Sequence, residues 1–195
     1  MRLRNLAIGL WAAVAVAGVA AGGLYLSRGG PEPVGAGLGG PFELVAMDGT
    51  PVTEADFRGH PDLLFFGFTH CPDVCPTTLY DMDGWLRDLG PDAEDLRAWF
   101  VTIDPERDTP EVLSDYITSQ TDRVTGLSGD PEAVRDMARA WRVYFQKVPL
   151  DGDDYTMDHF AGVYMIDREG EYAGLISYGE PVEEVLPKLR ALIEG

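Results

Sequence analysis

Phe66-Gly67-Phe68-Thr69-His70-Cys71-Pro72-Asp73-Val74-Cys75-Pro76 joins two different kinds of sequence. Before it, Leu63 to Phe68 is a short, almost wholly apolar run, as expected of a strand buried on both faces. After it, the pattern turns helical and stays so to about Leu89. A strand therefore runs into a helix, with two cysteines at the joint. The junction is expected to put Cys75 beside the helix's first free N–H groups and positive dipole end, which favour thiolate over thiol. At a spacing of four, partly helical residues face one side. Their Cα atoms would lie roughly 6 Å apart, inside the window for a disulfide. The pair can then close as a redox-active bond or open as a two-sulfur clamp, and Pro72 and Pro76 restrict the backbone that holds it.

Outward from this joint, strands alternate with helices. Upstream, Asp48-Gly49 reads as a hairpin turn near the start of the fold at Phe42. Downstream, Trp99 to Ile103 is a second buried strand. Thr109 caps a helix with Pro110 at its first position, and Asp130-Pro131 repeats that signal for a helix ending near Trp141. Val143 to Val148 reads as a strand before the turn at Asp151-Gly152. His159 to Ile166 and Tyr172 to Ser177 read as a hairpin through Glu169-Gly170, and a last helix covers about Val182 to Ile193. This order predicts an α/β fold with a thioredoxin-like central mixed sheet flanked by helices.

These two are the chain's only cysteines. A structural staple across so short a loop would constrain the unfolded chain very little. Redox chemistry and metal binding are the other uses of such a pair, and all three stay open on these residues alone. A third ligand would tilt the choice towards metal. Of the three histidines, His60 sits in a Gly-His-Pro loop and reads as structural or solvated. His70 is next to Cys71, and sequence neighbours point apart. His159 opens a strand after the acidic turn Asp151 to Asp158, where a thioredoxin-like sheet would bring it near the cysteine loop. Asp158 reads as a weak ligand, an outer partner orienting His159, or a turn residue. The loop from Asp104 to Pro110 explains itself as a strand end, a turn and a helix cap, with a bordering docking surface as the alternative. Trp141, Tyr144 and Phe145 read as core or core rim.

The chain has 195 residues and 45% hydrophobic content, ordinary for one packed domain with an appendage. Residues 1–30 hold three of the 15 basic residues and no acid, so the remainder sets 12 basic against 33 acidic residues, a net of −21. That excludes nucleic acid as a partner of the globular part, and allows steering towards a basic one. Leu6 to Leu26 carries no charge, and as a helix would span about 32 Å, enough to cross a bilayer core. Arg2 and Arg4 before it and Arg28 after it place the N-terminus weakly inside, so the domain is exported whether the segment is retained or cleaved. The organisation expected is a single-pass anchor at 1–28, a Gly/Pro-rich tether at 29–41 and the folded domain at 42–195. The Gly18 to Gly22 spacing also fits a helix-dimer motif, which a Gly/Ala-rich segment produces by chance.

Three motifs in order resemble the Sco/SenC family: the Cys71 to Cys75 stretch, Thr102-Ile-Asp-Pro-Glu-Arg-Asp-Thr109, and Tyr155-Thr-Met-Asp-His159 followed by Tyr164-Met-Ile-Asp167. The likeness runs over about residues 42–193. It implies a membrane-anchored, thioredoxin-like protein on the periplasmic side of the inner membrane, concerned with the binuclear copper centre of cytochrome c oxidase. It implies one copper ion per chain, Cu(I) or Cu(II), on Cys71, Cys75 and His159, since the family's two motif cysteines and distal histidine match those positions. The partners implied are the oxidase copper-site subunit and other copper chaperones or thiol reductants. Two thiolates and an imidazole suit copper, whereas zinc prefers a fourth ligand. The main functional alternative is a thiol–disulfide oxidoreductase that reduces the oxidase cysteines. A peroxiredoxin, suggested by Val74-Cys-Pro-Thr77, is disfavoured because Pro72 stands where the active-site threonine belongs.

Overall fold

The computed structural model describes residues 37–195 apart from Asp153, together with Trp11, Val16, Gly18, Gly22 and Gly23, which are helical. The anchor expected at 1–28 and most of the tether lie outside the described residues. Among the described residues no helix is long and apolar enough to cross a membrane.

Seven strands form the main sheet: β1 (Glu43–Ala46), β2 (Pro51–Thr53), β3 (Asp62–Gly67), β4 (Arg97–Thr102), β5 (Thr125–Ser128), β8 (Val163–Ile166) and β9 (Tyr172–Ile176), in the order β2-β1-β5-β4-β3-β8-β9. β3, β4 and β5 run parallel, while β1, β2, β8 and β9 add antiparallel edges. β6 (Phe145–Pro149) and β7 (Tyr155–His159) pair only with each other, as a separate two-stranded arm. The helices are α1 (Val74–Leu89), α2 (Pro110–Thr118), α3 (Pro131–Ala140) and α4 (Val182–Glu194).

The central strand β3 is buried at every position, which requires cover on both faces. Phe65 meets Phe100 edge-on, and Phe100 packs towards Tyr116 of α2. Phe66 meets Tyr164, which packs on Trp141 at the end of α3. Neighbouring residues thus feed two different layers, as the pleat demands. Gly67 closes the strand because a Cβ there would come within 2.8 Å of the Phe100 ring and 2.9 Å of the Phe65 ring. Asp62, at the strand's start, is fully buried and survives because Arg97 and the Trp99 indole donate to its carboxylate.

Local signals behave as the sequence indicates. Asp48-Gly49 makes the β1–β2 turn, with Gly49 at φ 88°, a left-handed angle that suits glycine. Thr109 accepts from the Val112 N–H and Asp130 from the Glu132 N–H, each followed by proline at the first helical position. Two boundaries differ. The acidic turn read over Asp151 to Asp158 is shorter, because Tyr155–His159 pairs with β6 as β7; His159 therefore closes a strand instead of opening one, and β8 starts only at Val163. Gly162 lies at the break, packed against Phe160 and Leu175. The short strand β5 carries too little pattern to be seen, since its Gly126 gives up its side-chain space to Leu113 and Ile117.

Candidate metal centre

The cysteine loop sits at the carboxyl end of β3, where open α/β sheets place their sites. Cys75 is fully buried and Cys71 half-exposed; both are free thiols. α1 begins at Val74 with Asp73 at its N-cap, but the Asp73 side chain makes no capping bond. The Cys71 sulfur takes that role instead, accepting the Cys75 backbone N–H at 3.4 Å. This corrects the expectation that the helix start activates Cys75. The Cys75 thiol donates to Cys71, and His159 and the backbone N–H add to it, so the Cys71 pKa falls well below the ordinary thiol range. The same bond, with burial, pushes Cys75 upward. The two shifts run in opposite directions, so Cys71, the accessible sulfur, is the more acidic of the pair.

A direct consequence concerns reactivity. In the reduced protein, iodoacetamide should modify Cys71 far ahead of Cys75. Its rate should stay flat from about pH 6 to 8, where an ordinary thiol speeds up about tenfold per unit. Peptide mapping by mass spectrometry checks both points; first modification at Cys75, or a steep pH dependence, would contradict the assignment.

His159 reaches the thiols from β7. Its Nε2 lies 3.6 Å from the Cys75 sulfur, and the ring rests edge-on against Phe65 and Phe68. Its Nδ1 is 2.9 Å from the Phe160 carbonyl oxygen. A carbonyl only accepts, so Nδ1 carries a proton and Nε2 is the ring nitrogen that faces the sulfurs. The orienting partner is thus a backbone carbonyl; Asp158, adjacent on the strand, is exposed. The two sulfurs and an imidazole nitrogen lie within 4.8 Å of one another. Such a soft, three-donor set can hold one thiophilic ion.

The other histidines stand apart. His60 pairs with Asp95 at 2.5 Å, and His70 is exposed with its Nδ1 3.0 Å from the Thr69 hydroxyl. Trp141 is core, Phe145 half-buried, and Tyr144 exposed rather than packed.

Sequence reading missed Asp108. Fully buried, it accepts the Thr69 N–H at 3.0 Å and the Thr69 hydroxyl at 2.6 Å, two residues before Cys71. It also accepts the Thr102 hydroxyl at 2.7 Å, so the carboxylate ties the cysteine loop to the end of β4. Asp104 and Arg107 of the same loop engage Tyr155 on the arm that carries His159. The available signal was four charged residues, Asp104, Glu106, Arg107 and Asp108, within six positions of a buried strand's end, more than a turn and a cap require.

A thioredoxin-like domain with a dithiol at its strand–helix joint and an imidazole over it defines a class of thiol-based metal and redox proteins. The SCO1/SenC family model matches residues 31–194, and the chain belongs to that family. It is similar to the structure of Bradyrhizobium japonicum ScoI with copper bound, at 42% identity and a TM-score of 0.75, over 80% of this chain and 99% of that one. A SCO2-like protein of Rickettsia prowazekii is 39% identical over 69% of this chain and 67% of its own length. The mitochondrial SCO1 homolog of Mus musculus is 38% identical over 79% of this chain and 55% of its own. The chain spans about half the length of the mitochondrial relatives it matches.

Proposed function

We propose that this protein is a copper metallochaperone: Cys71, Cys75 and His159 hold one copper ion, Cu(I) or Cu(II), and pass it to the binuclear copper site of cytochrome c oxidase. The observation that carries this is the convergence of two sulfurs and an imidazole nitrogen within 4.8 Å. Membership of the family and the copper bound in the Bradyrhizobium relative support it. The donor set suits the ion chemically: thiolates favour Cu(I), imidazole accommodates either state, and three donors leave an open side for an acceptor's ligands. The chain's own residues do the preparatory work. The α1 N-terminus holds the Cys71 thiolate, the Phe160 carbonyl orients the His159 ring, and Phe65 with Phe68 floors it. Oxidation of the pair to a disulfide would remove both sulfurs, so loading requires the reduced form.

The second reading is a thiol–disulfide oxidoreductase acting on the cysteines of the oxidase copper site. The half-exposed Cys71 thiolate over a protonated Cys75 favours it. Cys71 would attack the target disulfide, expelling one target thiolate; Cys75 would lose its proton and attack the Cys71 sulfur, expelling the second. The target gains two electrons, and the pair becomes a disulfide.

His159→Ala separates the two readings. Anaerobic competition titration of the reduced domain (residues 31–195) should show copper affinity falling by about 100-fold or more, while dithiol exchange with a model disulfide largely survives. Unchanged copper affinity would sink the three-ligand site. Transfer is tested by mixing the loaded domain with the apo oxidase copper domain. Thiol reductants and other copper chaperones are the expected further partners. We also place the domain on the periplasmic side of the inner membrane, tethered by residues 29–41 to an anchor at 1–28. Protease accessibility in spheroplasts and resistance to carbonate extraction test this.

A further inference from the structure

His159 belongs to an arm that shares no strand pairing with the main sheet, so something other than backbone bonding fixes where its ring stands. Met157 seats the middle of β7 in the core and His159 rests on Phe65 and Phe68, while the arm's charged and polar side-chain contacts to the rest of the domain gather at its other end. Tyr155 lies four residues from His159 on the same face of β7, about 13 Å along the strand. Its hydroxyl donates to Asp104 Oδ1 at 2.8 Å, and Asp104 is 1% exposed. The other Asp104 oxygen accepts from Arg107 Nε, whose Nη1 donates to the Tyr155 carbonyl at 3.0 Å. The guanidinium lies over the Tyr155 ring at 3.8 Å, and Lys147, paired with Glu106, covers the ring at 4.3 Å. Arg107 Nη2 is buried and has no partner among the described residues. Burying a charge pair with a donor to spare is a poor way to gain stability, and its better-attested use is to fix one arrangement among several.

We propose that Asp104, Arg107 and Tyr155 are positioning residues that latch the β6–β7 arm, so that His159 stands over the two sulfurs. This rests on the copper-holding reading for its consequence, though not for its geometry. With the latch closed the imidazole completes a three-donor hold. With it open the arm moves on its own, the ion keeps two sulfurs, and the path to an acceptor widens. The dithiol is anchored by the Asp108 carboxylate through Thr69, and Asp104 meets that network only through its backbone, so replacing the Asp104 and Arg107 side chains acts on the arm.

The test is the double replacement Asp104→Asn with Arg107→Gln in the full chain, which leaves no lone buried charge, alongside Tyr155→Phe, which removes a single hydroxyl. Without metal, hydrogen exchange of the Tyr155–His159 amides should quicken at least tenfold in the double variant and less in Tyr155→Phe. With Cu(I), competition titration should show roughly a tenfold loss in the double variant, the range for outer partners of metal ligands. In a His159→Ala background the same replacement should cost no further affinity and should leave the dithiol's reduction potential where His159→Ala alone puts it. Unchanged exchange of the arm in both variants would overturn the latch. So would an equal affinity loss with and without His159, or a dithiol potential that the double replacement alters in the His159→Ala background. Failure of the wild-type chain to bind copper would instead overturn the proposed function, leaving the exchange result to decide the latch.

Discussion

Cys71→Ser is expected to abolish tight copper binding, with a loss well beyond the roughly 100-fold typical of removing an outer partner. A serine hydroxyl is a hard donor that stays protonated at neutral pH, so one of two soft ligands disappears and the site falls to a sulfur and an imidazole. This substitution is unusually clean. The Cys71 sulfur accepts the Cys75 N–H, and a serine hydroxyl oxygen at the same position can accept from that donor, so the helix start keeps a partner. Thermal stability should therefore hold while affinity collapses, which separates a lost ligand from a lost fold. Cys75→Ser should abolish binding as well, but it buries a hydroxyl at a fully enclosed position and should also cost stability. Anaerobic competition with a Cu(I) chelator measures both. A domain that binds copper as tightly with serine at both positions would refute the proposed function.

Phe65→Ala is expected to be the most damaging single change to the fold among those near the site. The side chain is fully buried in the central strand, paired across to Phe100 on β4 and to Val163 on β8. Removing it leaves a cavity that the flanking strands cannot close, at a cost of about 3–5 kcal/mol. For a domain of this size that corresponds to a fall in melting temperature of roughly 10 °C, readable by circular dichroism. The ring also forms part of the floor under His159, with centroids 6.1 Å apart. Copper affinity should therefore fall at temperatures where the variant is still folded. Phe65→Leu, which refills much of the volume, should recover most of the stability. A loss under 1 kcal/mol for alanine would mean that the layer repacks and is not the rigid support described.

The elements around the dithiol were legible because their signals are local. Leu63 to Phe68 announces a doubly buried strand, Thr109-Pro110 and Asp130-Pro131 announce helix starts, and Asp48-Gly49 announces a turn. Each depends on sterics or hydrogen bonds within a few residues. Reading failed where the neighbourhood lies elsewhere in the chain. Nothing near His159 shows that β7 stops there and that the next three residues pair with no strand. Tyr144 looks like core by composition and is exposed, because the arm it precedes has one face in water. Asp108 looks like part of a turn, yet its two oxygens hold Thr69, which is 39 positions away.

The sequence by itself determined the donor types, the strand–helix joint that carries two of them, and the order of strands and helices that makes a thioredoxin-like sheet the expected outcome. Only the tertiary structure decided which sulfur is the more acidic and what aims the imidazole. The helix N–H met Cys71 rather than Cys75, and the His159 ring took its orientation from the carbonyl of Phe160. The physical reason is range. Propensity, capping and alternation act over one or two turns, while the protonation state of a thiol and the direction of a ring depend on groups that folding brings from far along the chain.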